Sequence, residues 1–188
     1  MKITDLRHPA VFKNGDRVQM LIDRGVQNSN KGSKRWVNKL VSCNPEEFDR
    51  NTMKLLEQME YFKNPDIRLY SCINPRKMDK AINLFQHKQL DLAPDAVSPF
   101  YRRINDNFVS CLMKPESRNG NAFLLDVDNL NCEEVNLFLD EHQISIRHAY
   151  KSKNGFHIIT DPFSPELAKE CSTFEVKKDA LMLWAYWE

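Results

Sequence analysis

The sequence feature that most constrains the fold is a short apolar run that ends in two acids. Residues 122–128 read Ala-Phe-Leu-Leu-Asp-Val-Asp. A run of this length and composition is typical of a central strand, covered on both faces. Because strand side chains alternate between faces, Asp126 and Asp128 point the same way, with β-carbons about 6 to 7 Å apart. The run therefore predicts two carboxylates at the edge of a sheet.

This carboxylate pair suits hard divalent cations. Mg²⁺ and Mn²⁺ prefer oxygen ligands, and two such ions can clamp the attacking and leaving oxygens of a phosphoryl displacement. The alternatives are a solvated strand end, or an aspartate that caps the helix predicted after Asn131. The segment by itself leaves these alternatives open.

A hairpin is predicted further along the chain, from strands at 144–151 and 156–160 joined through Asn154-Gly155. A two-residue or a four-residue turn would place four side chains on one face: His148, Tyr150, Ser152 and His157. A three-residue turn would break this parity. Lys153 and Ser152 would offer donors to an anionic phosphate, although a solvated basic turn and a half-buried structural His157 are the alternatives.

The remaining elements indicate one α/β domain over residues 1–188. A helix is predicted over 45–62, a strand over 67–73, a helix over 77–88 and weaker helical character over 100–109. A short helix from Pro165 and an apolar segment over 180–187 end the chain. The 27 basic and 26 acidic residues nearly balance, so nucleic acid would have to bind through a local patch. The five scattered cysteines predict neither disulfides nor structural zinc.

Three motifs in order resemble the catalytic core of archaeo-eukaryotic primases and primase-polymerases. The first is the hydrophobic run ending in Asp126 and Asp128, and the second is the small residue, any residue, His pattern of Gly155-Phe156-His157. The third, an acid late in the chain, is best matched by Asp179, with Asp161 and Glu175 as rivals. Residues 67–76, a strand ending in Asn-Pro-Arg, look like a segment of small viral members.

The resemblance implies a fold and a function. The fold would be an RRM-like mixed or antiparallel sheet backed by helices over residues 65–188, with an N-terminal α/β unit over 1–64. The enzyme would use two Mg²⁺ or Mn²⁺ ions to transfer a nucleotidyl group from a nucleoside triphosphate to single-stranded or primed DNA or RNA, beside a possible replication protein partner. The ions would be held by Asp126, Asp128 and Asp179.

The same resemblance assigns His157 to the phosphates of the incoming nucleotide, whereas Ser152 and Lys153 are phosphate candidates because of their place beside the hairpin turn. Arg76 and Lys34 are further candidates for triphosphate or nucleic acid. Two departures from the family pattern stand out: Gly155 replaces the more usual Ser, and an apolar rather than a basic segment follows Asp179.

Two other functions are compatible with the sequence. Residues 124–129 also look like the first motif of haloacid-dehalogenase-type phosphatases, but only 60 residues follow Asp128, too few for the remaining strands of such a domain. A catalytically silent nucleic-acid- or partner-binding module is the other, since residues 31–36 mix cations with Trp36. The absence of a long apolar run and of a secretory signal pattern predicts a cytoplasmic protein without membrane contact, in the host cytoplasm if it is viral.

Overall fold

The structure, a computed structural model, describes residues 2–6, 8–25, 35–127, 132–168 and 173–188. The strands are β1 (Ile3–Asp5), β2 (Arg17–Asp23), β3 (Arg35–Ser42), β4 (Ile67–Cys72), β5 (Phe123–Val127), β6 (Ile146–Lys151), β7 (Phe156–Thr160), β8 (Glu175–Lys177) and β9 (Leu181–Trp187). The α-helices are α1 (Pro45–Phe62), α2 (Met78–Leu90), α3 (Val97–Arg102), α4 (Ile104–Leu112) and α5 (Cys132–Glu141). None of the helices in this part of the chain is long and apolar enough to cross a bilayer.

Helix α1 has the bounds that its capping residues predict. The Asn44 side chain accepts a hydrogen bond of 2.8 Å from the Glu47 amide, and Pro45 occupies the first turn, where no amide donor is needed. The helix ends where Lys63 adopts a left-handed conformation. Its buried face, with Phe48 and Leu55, packs on the larger sheet.

The larger sheet has five antiparallel strands in the order β1-β9-β4-β2-β3. Its strands come from both parts of the chain, since β4 and β9 pair with strands from the first 64 residues. Helix α1 covers one face, where Leu21 and Leu69 are buried. Residues of α2 and α4 pack on the opposite face against Met20 and Tyr70. The sheet is therefore buried on both faces over its central strands.

The smaller sheet has four antiparallel strands in the order β6-β7-β5-β8. On its outer face, Leu125 and Ile158 pack against Val135 and Phe138 of α5. On its inner face, Leu124 and Ile159 join the core that contains Trp184 of the larger sheet. Two antiparallel sheets with helices against them confirm the α+β class.

The hairpin of β6 and β7 has a four-residue loop, Ser152–Gly155. The Ser152 amide donates to the Gly155 carbonyl at 2.8 Å, and Tyr150 lies opposite His157 across the two strands. The predicted parity is confirmed, because a loop of four residues leaves the alternation of faces unchanged. The strand begins at Ile146 rather than at residue 144, next to a register shift between Ile146 and His148.

Two of the predicted helices differ from the structure. Residues 165–168 form turns instead of the start of a helix from Pro165, and residues 169–172 lie outside the described residues. The helical stretch predicted over 100–109 belongs to two helices, α3 and α4, separated at Arg103. The backbone of Arg103 leaves the helical region, with φ −118° and ψ 32°, so the helix cannot continue through it.

Candidate functional site

The carboxylate of Asp126 lies on the inner face of the smaller sheet, between a histidine and a lysine. In the strand register Asp126 is opposite His157 on β7 and opposite Glu175 on β8. One carboxylate oxygen is 3.0 Å from His157 Nε2, and the other accepts a short hydrogen bond from Lys177 Nζ. Lys177 Nζ is also 3.1 Å from the Glu175 carboxylate. Strand pairing alone thus brings two acids, a histidine and a lysine together.

The orientation of the His157 ring is set by Tyr150. The Leu183 amide donates to the Tyr150 hydroxyl oxygen at 3.1 Å, and that hydroxyl lies 2.7 Å from His157 Nδ1. Because Nε2 faces the ionised Asp126 carboxylate, which can only accept, Nδ1 is left to accept the hydroxyl proton of Tyr150. The ring proton of neutral His157 is then on Nε2, where it is donated to Asp126.

These contacts fix the charges around Asp126. Hydrogen bonds from His157 and then Lys177 hold the pKa of Asp126 well below its usual range, against the opposing effect of burial. Burial lowers the pKa of Lys177, but its hydrogen bonds to Asp126 and Glu175 raise it by more. Burial also raises the pKa of Tyr150. At neutral pH the site therefore holds an ionised Asp126, a charged Lys177 and a neutral Tyr150.

A pair of histidines, His8 and His148, lies behind Tyr150. His8 Nε2 donates to the Leu183 carbonyl at 2.7 Å, which leaves Nδ1 to accept from His148 Nε2 at 3.0 Å. Burial lowers the pKa of His8 to about 4, so both rings are neutral at pH 7. The Leu183 peptide is therefore held on both sides, by Tyr150 at its amide and by His8 at its carbonyl. Sequence reasoning missed His8, because no local pattern connects residue 8 with residue 183.

A cleft of about 650 Å³ opens between the two sheets beside Asp126. The larger sheet contributes residues of β2, β4 and β9, among them Arg68 and Tyr70. The smaller sheet contributes Asp126, His157 and Lys177, while the hairpin loop closes one side. A volume of this size is typical of pockets for small ligands.

The cleft is strongly basic. Five basic side chains line it, against two aspartates: Arg24, Arg68, Lys153, Lys177 and Lys178 face Asp126 and Asp179. Within the described residues only Lys177 of these cations forms an ion pair. A concave surface with this charge concentrates anions. Lys153 and Ser152 both line this cleft, although Ser152 is buried and its hydroxyl accepts a hydrogen bond from the Gly155 amide within its own loop.

Asp179 is occupied by Arg76. The two terminal nitrogens of Arg76 each lie 2.9 Å from one oxygen of the Asp179 carboxylate, in a bidentate pair. The Arg76 side chain is fully buried, and the Asp179 side chain is 21% exposed. Asn74 in the same Asn-Pro-Arg segment exchanges two hydrogen bonds with the backbone of Ala122. The segment ties β4 to the start of β5 and to the turn before β9.

The three candidates for the third metal-binding acid differ in location. Asp161 forms a surface ion pair of 2.6 Å with Arg147. Asp179 lines the cleft but is held by Arg76, and Glu175 lies directly opposite Asp126. Glu175 is 71% exposed and is linked to Asp126 through Lys177. Two other predicted site residues, Asp128 and Lys34, lie outside the described residues.

The described residues do not by themselves form a metal site. Within them, no group of three or more His, Cys, Asp or Glu side chains is arranged to hold a metal ion. Asp126 and Glu175 are adjacent, but the Lys177 ammonium contacts both carboxylates. A site for two ions would need further oxygen ligands and the displacement of Lys177.

Comparisons with protein-family models, with curated proteins and with solved structures gave no match for this chain.

Proposed function

We propose that this protein is a primase-polymerase-type nucleotidyltransferase, which binds a nucleoside triphosphate in the cleft and transfers a nucleotidyl group to DNA or RNA. The observation that supports the proposal is the strand pairing of Asp126 with His157 at the wall of a basic cleft. These are the acid of the first motif and the histidine of the second, and they were separated by 30 residues in the sequence.

The smaller sheet suits this class of enzyme. Its four antiparallel strands, with α5 on the outer face, support an RRM-like core over residues 123–177. The same topology argues against a haloacid-dehalogenase-type phosphatase, whose Rossmann-like sheet is parallel. The proposed activity belongs in the cytoplasm, or in the host cytoplasm for a viral protein, with a replication protein as partner.

The side chains of the cleft have distinct roles in the proposal. His157 Nε2 carries the proton that it donates to Asp126, and the same N–H would become a donor to a phosphate oxygen when a bound ion takes up the Asp126 carboxylate. Lys153, on the hairpin loop, contributes a positive charge on the same side. Tyr150 keeps the His157 ring in the tautomer that presents this donor.

The proposed cofactor is Mg²⁺ or Mn²⁺, held by Asp126 with Asp128 and a third acid. Of the candidates for that acid, Glu175 is nearest in the strand register, whereas Asp179 would have to leave Arg76. When bound, the ions would supply charge neutralisation for the phosphates. Lys177 is the internal cation with which they would compete for Asp126.

A catalytically silent nucleotide- or nucleic-acid-binding module is the second candidate. It is favoured by the neutralisation of both cleft aspartates by protein cations, Asp126 by Lys177 and Asp179 by Arg76. A cleft arranged in this way can bind anions without a metal ion. The two candidates therefore differ in their dependence on Mn²⁺ and on the Asp126 carboxylate.

A nucleotide-transfer assay separates the candidates. Wild-type protein is incubated with labelled nucleoside triphosphates, Mn²⁺ and either single-stranded or primed template, beside the Asp126→Asn variant. We expect product from the wild type and a loss of about 100-fold or more in the variant, because Asn lacks the charge that a metal ion requires. The control is Asp106→Asn, which removes a surface carboxylate that is paired with Lys39 and does not line the cleft.

Each result has a defined meaning. Transfer that is equal in the wild type and in Asp126→Asn would refute the proposed site. Nucleotide binding by wild type without transfer on any template, and without dependence on Mn²⁺, would support the silent module instead.

A further inference from the structure

The arginines on the larger-sheet wall of the cleft have no role in the motifs above. Arg68 lies on β4, opposite Ile22 of β2, and its side chain is half-buried. Its Nε is buried and has no hydrogen-bond partner within the described residues. Buried donors in proteins are nearly always satisfied, so an unsatisfied one at a cleft indicates a missing acceptor.

The charge of Arg68 is also uncompensated. Arg68 and Arg24 form no ion pair with another described residue, although cations elsewhere in the fold do so, such as Lys13 with Asp49 at 2.7 Å. Arg24 follows the last residue of β2. The Arg24 amide donates a hydrogen bond of 3.0 Å to the Asp66 carbonyl, which fixes the backbone of Arg24 beside the cleft. The wall thus presents two guanidinium groups from fixed positions.

Two further cations face this wall from the other side. Lys153 on the hairpin loop and Lys178 after β8 line the same cleft, and neither forms an ion pair with a described residue. Four cations that line one cleft repel one another unless an anion lies between them. A ligand with several negative charges, close together, would neutralise them at once.

The size of the cleft selects among such ligands. Its volume of about 650 Å³ lies within the range of small-molecule pockets, and its cations converge from two walls. A nucleic-acid backbone is usually followed by cations along an open groove instead. The arrangement is therefore better suited to the compact polyphosphate of a small molecule than to a strand of DNA or RNA.

We propose that Arg68 and Arg24 form a polyphosphate-binding wall, opposite Lys153 and Lys178, which binds the triphosphate group of the substrate without a metal ion. The identity of the substrate as a nucleoside triphosphate rests on the proposed function. The binding of triphosphate to this wall does not, since it requires neither Asp126 nor transfer. Arg68 is the residue on which the affinity depends most, because it lies within β4 and its guanidinium, whose Nε has no partner among the described residues, can donate to two phosphate oxygens.

Calorimetric titration of the full chain with inorganic triphosphate, in EDTA and about 50 mM salt, tests the wall. We expect wild-type binding that weakens as salt is raised, and a loss of about tenfold or more in affinity for Arg68→Met. Arg24→Met, at the end of its strand, provides a second variant with a smaller loss. The matched control is Arg102→Met, an exposed arginine of α3 that does not line the cleft, which should bind as the wild type does.

Absence of wild-type binding, or equal affinities for the wild type and both cleft variants, would overturn the proposal. A single-stranded oligonucleotide whose binding depends on Arg68, while that of triphosphate does not, would assign the wall to nucleic acid and overturn it as well. Failure of the proposed function can be distinguished from failure of this proposal. If triphosphate binds through Arg68 but no nucleotide is transferred, only the proposed enzyme activity is refuted.

Discussion

Two arginines, eight positions apart, are used in opposite ways: Arg68 lines the cleft, and Arg76 is buried behind it. Arg76 lies behind the cleft, fully buried, with its charge neutralised by the bidentate Asp179. Arg68 lies on the wall, half-buried, with no carboxylate partner among the described residues. The Nε of each is buried without a hydrogen-bond partner, so what distinguishes the two is the charge balance. A buried cation that is paired stabilises the fold, whereas one left unpaired at a cleft is available to a ligand.

The largest expected effect is the difference in the free energy of unfolding between two single variants, Arg76→Met and Arg68→Met. Arg76→Met should lower the free energy of unfolding by about 3 kcal/mol, because it leaves the partly buried Asp179 without its partner. Arg68→Met should change stability by less than about 0.5 kcal/mol, since no ion pair is lost. Urea unfolding at pH 7 measures both. Similar losses at the two positions would abolish the distinction between a structural and a ligand-binding arginine.

The next largest effect concerns the pH dependence of stability that arises from the buried His8. Burial lowers the pKa of His8 from 6.5 to about 4, so below pH 6.5 the unfolded chain takes up a proton that the folded chain excludes. Stability is therefore complete above about pH 6.5 and falls as the pH is lowered towards 4, by about 2 kcal/mol. His148, which faces His8 and also has a pKa lowered by burial, acts in the same direction.

Urea unfolding between pH 7 and pH 4.5 checks this pH dependence. The control is His8→Gln, which lacks the titrating ring and should show a shallower slope. The lowered pKa of Asp126 does not contribute in this window, because the stability that it adds is lost only below the ordinary pKa of 3.8. A wild-type stability that is constant down to pH 4.5 would contradict the buried neutral state of His8.

The smallest expected effect on stability concerns Tyr150, which contacts both the Leu183 amide and the His157 ring. Tyr150→Phe removes the acceptor of the Leu183 amide and the donor to His157 Nδ1, at a cost of about 1 to 2 kcal/mol. The imidazole ¹⁵N shifts of His157 should also show a lower fraction of the Nε2–H tautomer. Tyr61→Phe, at a side chain that is 83% exposed, is the control. Unchanged His157 shifts in Tyr150→Phe would show that Tyr150 does not set the tautomer.

Local sequence signals predicted the parts of the site that lie within one strand or one hairpin. The period of two in strands placed Tyr150 and His157 on one face, and the acid at the end of β5 was found from its apolar run. The helical spacing of the apolar residues, with Pro45 at the first turn, predicted the bounds of α1. Each of these features depends on neighbours within a few residues, which the sequence displays directly.

Long-range contacts could not be predicted in the same way. Asp179 is 103 residues from Arg76, and no periodicity indicates that the two form a bidentate pair. The pairing of β8 beside β5, which puts Lys177 on Asp126, likewise depends on the register of separate strands. Such contacts are determined by the packing of the whole fold. An acid or a base that suits a metal ion or a phosphate in the sequence therefore gives no indication of the side chain that it pairs with in the structure.

An NMR titration of the arginine Nε–H groups with inorganic triphosphate compares the two arginines in one sample. In ¹⁵N-arginine-labelled protein, assigned with Arg68→Met and Arg76→Met, we predict that the Arg68 signal shifts progressively and saturates, because phosphate oxygens approach its unpaired guanidinium. The Arg76 signal should stay in place, held by Asp179. An Arg68 signal that does not move at saturating triphosphate, or an Arg76 signal that moves in its stead, would contradict the assignment of the cleft as a phosphate site.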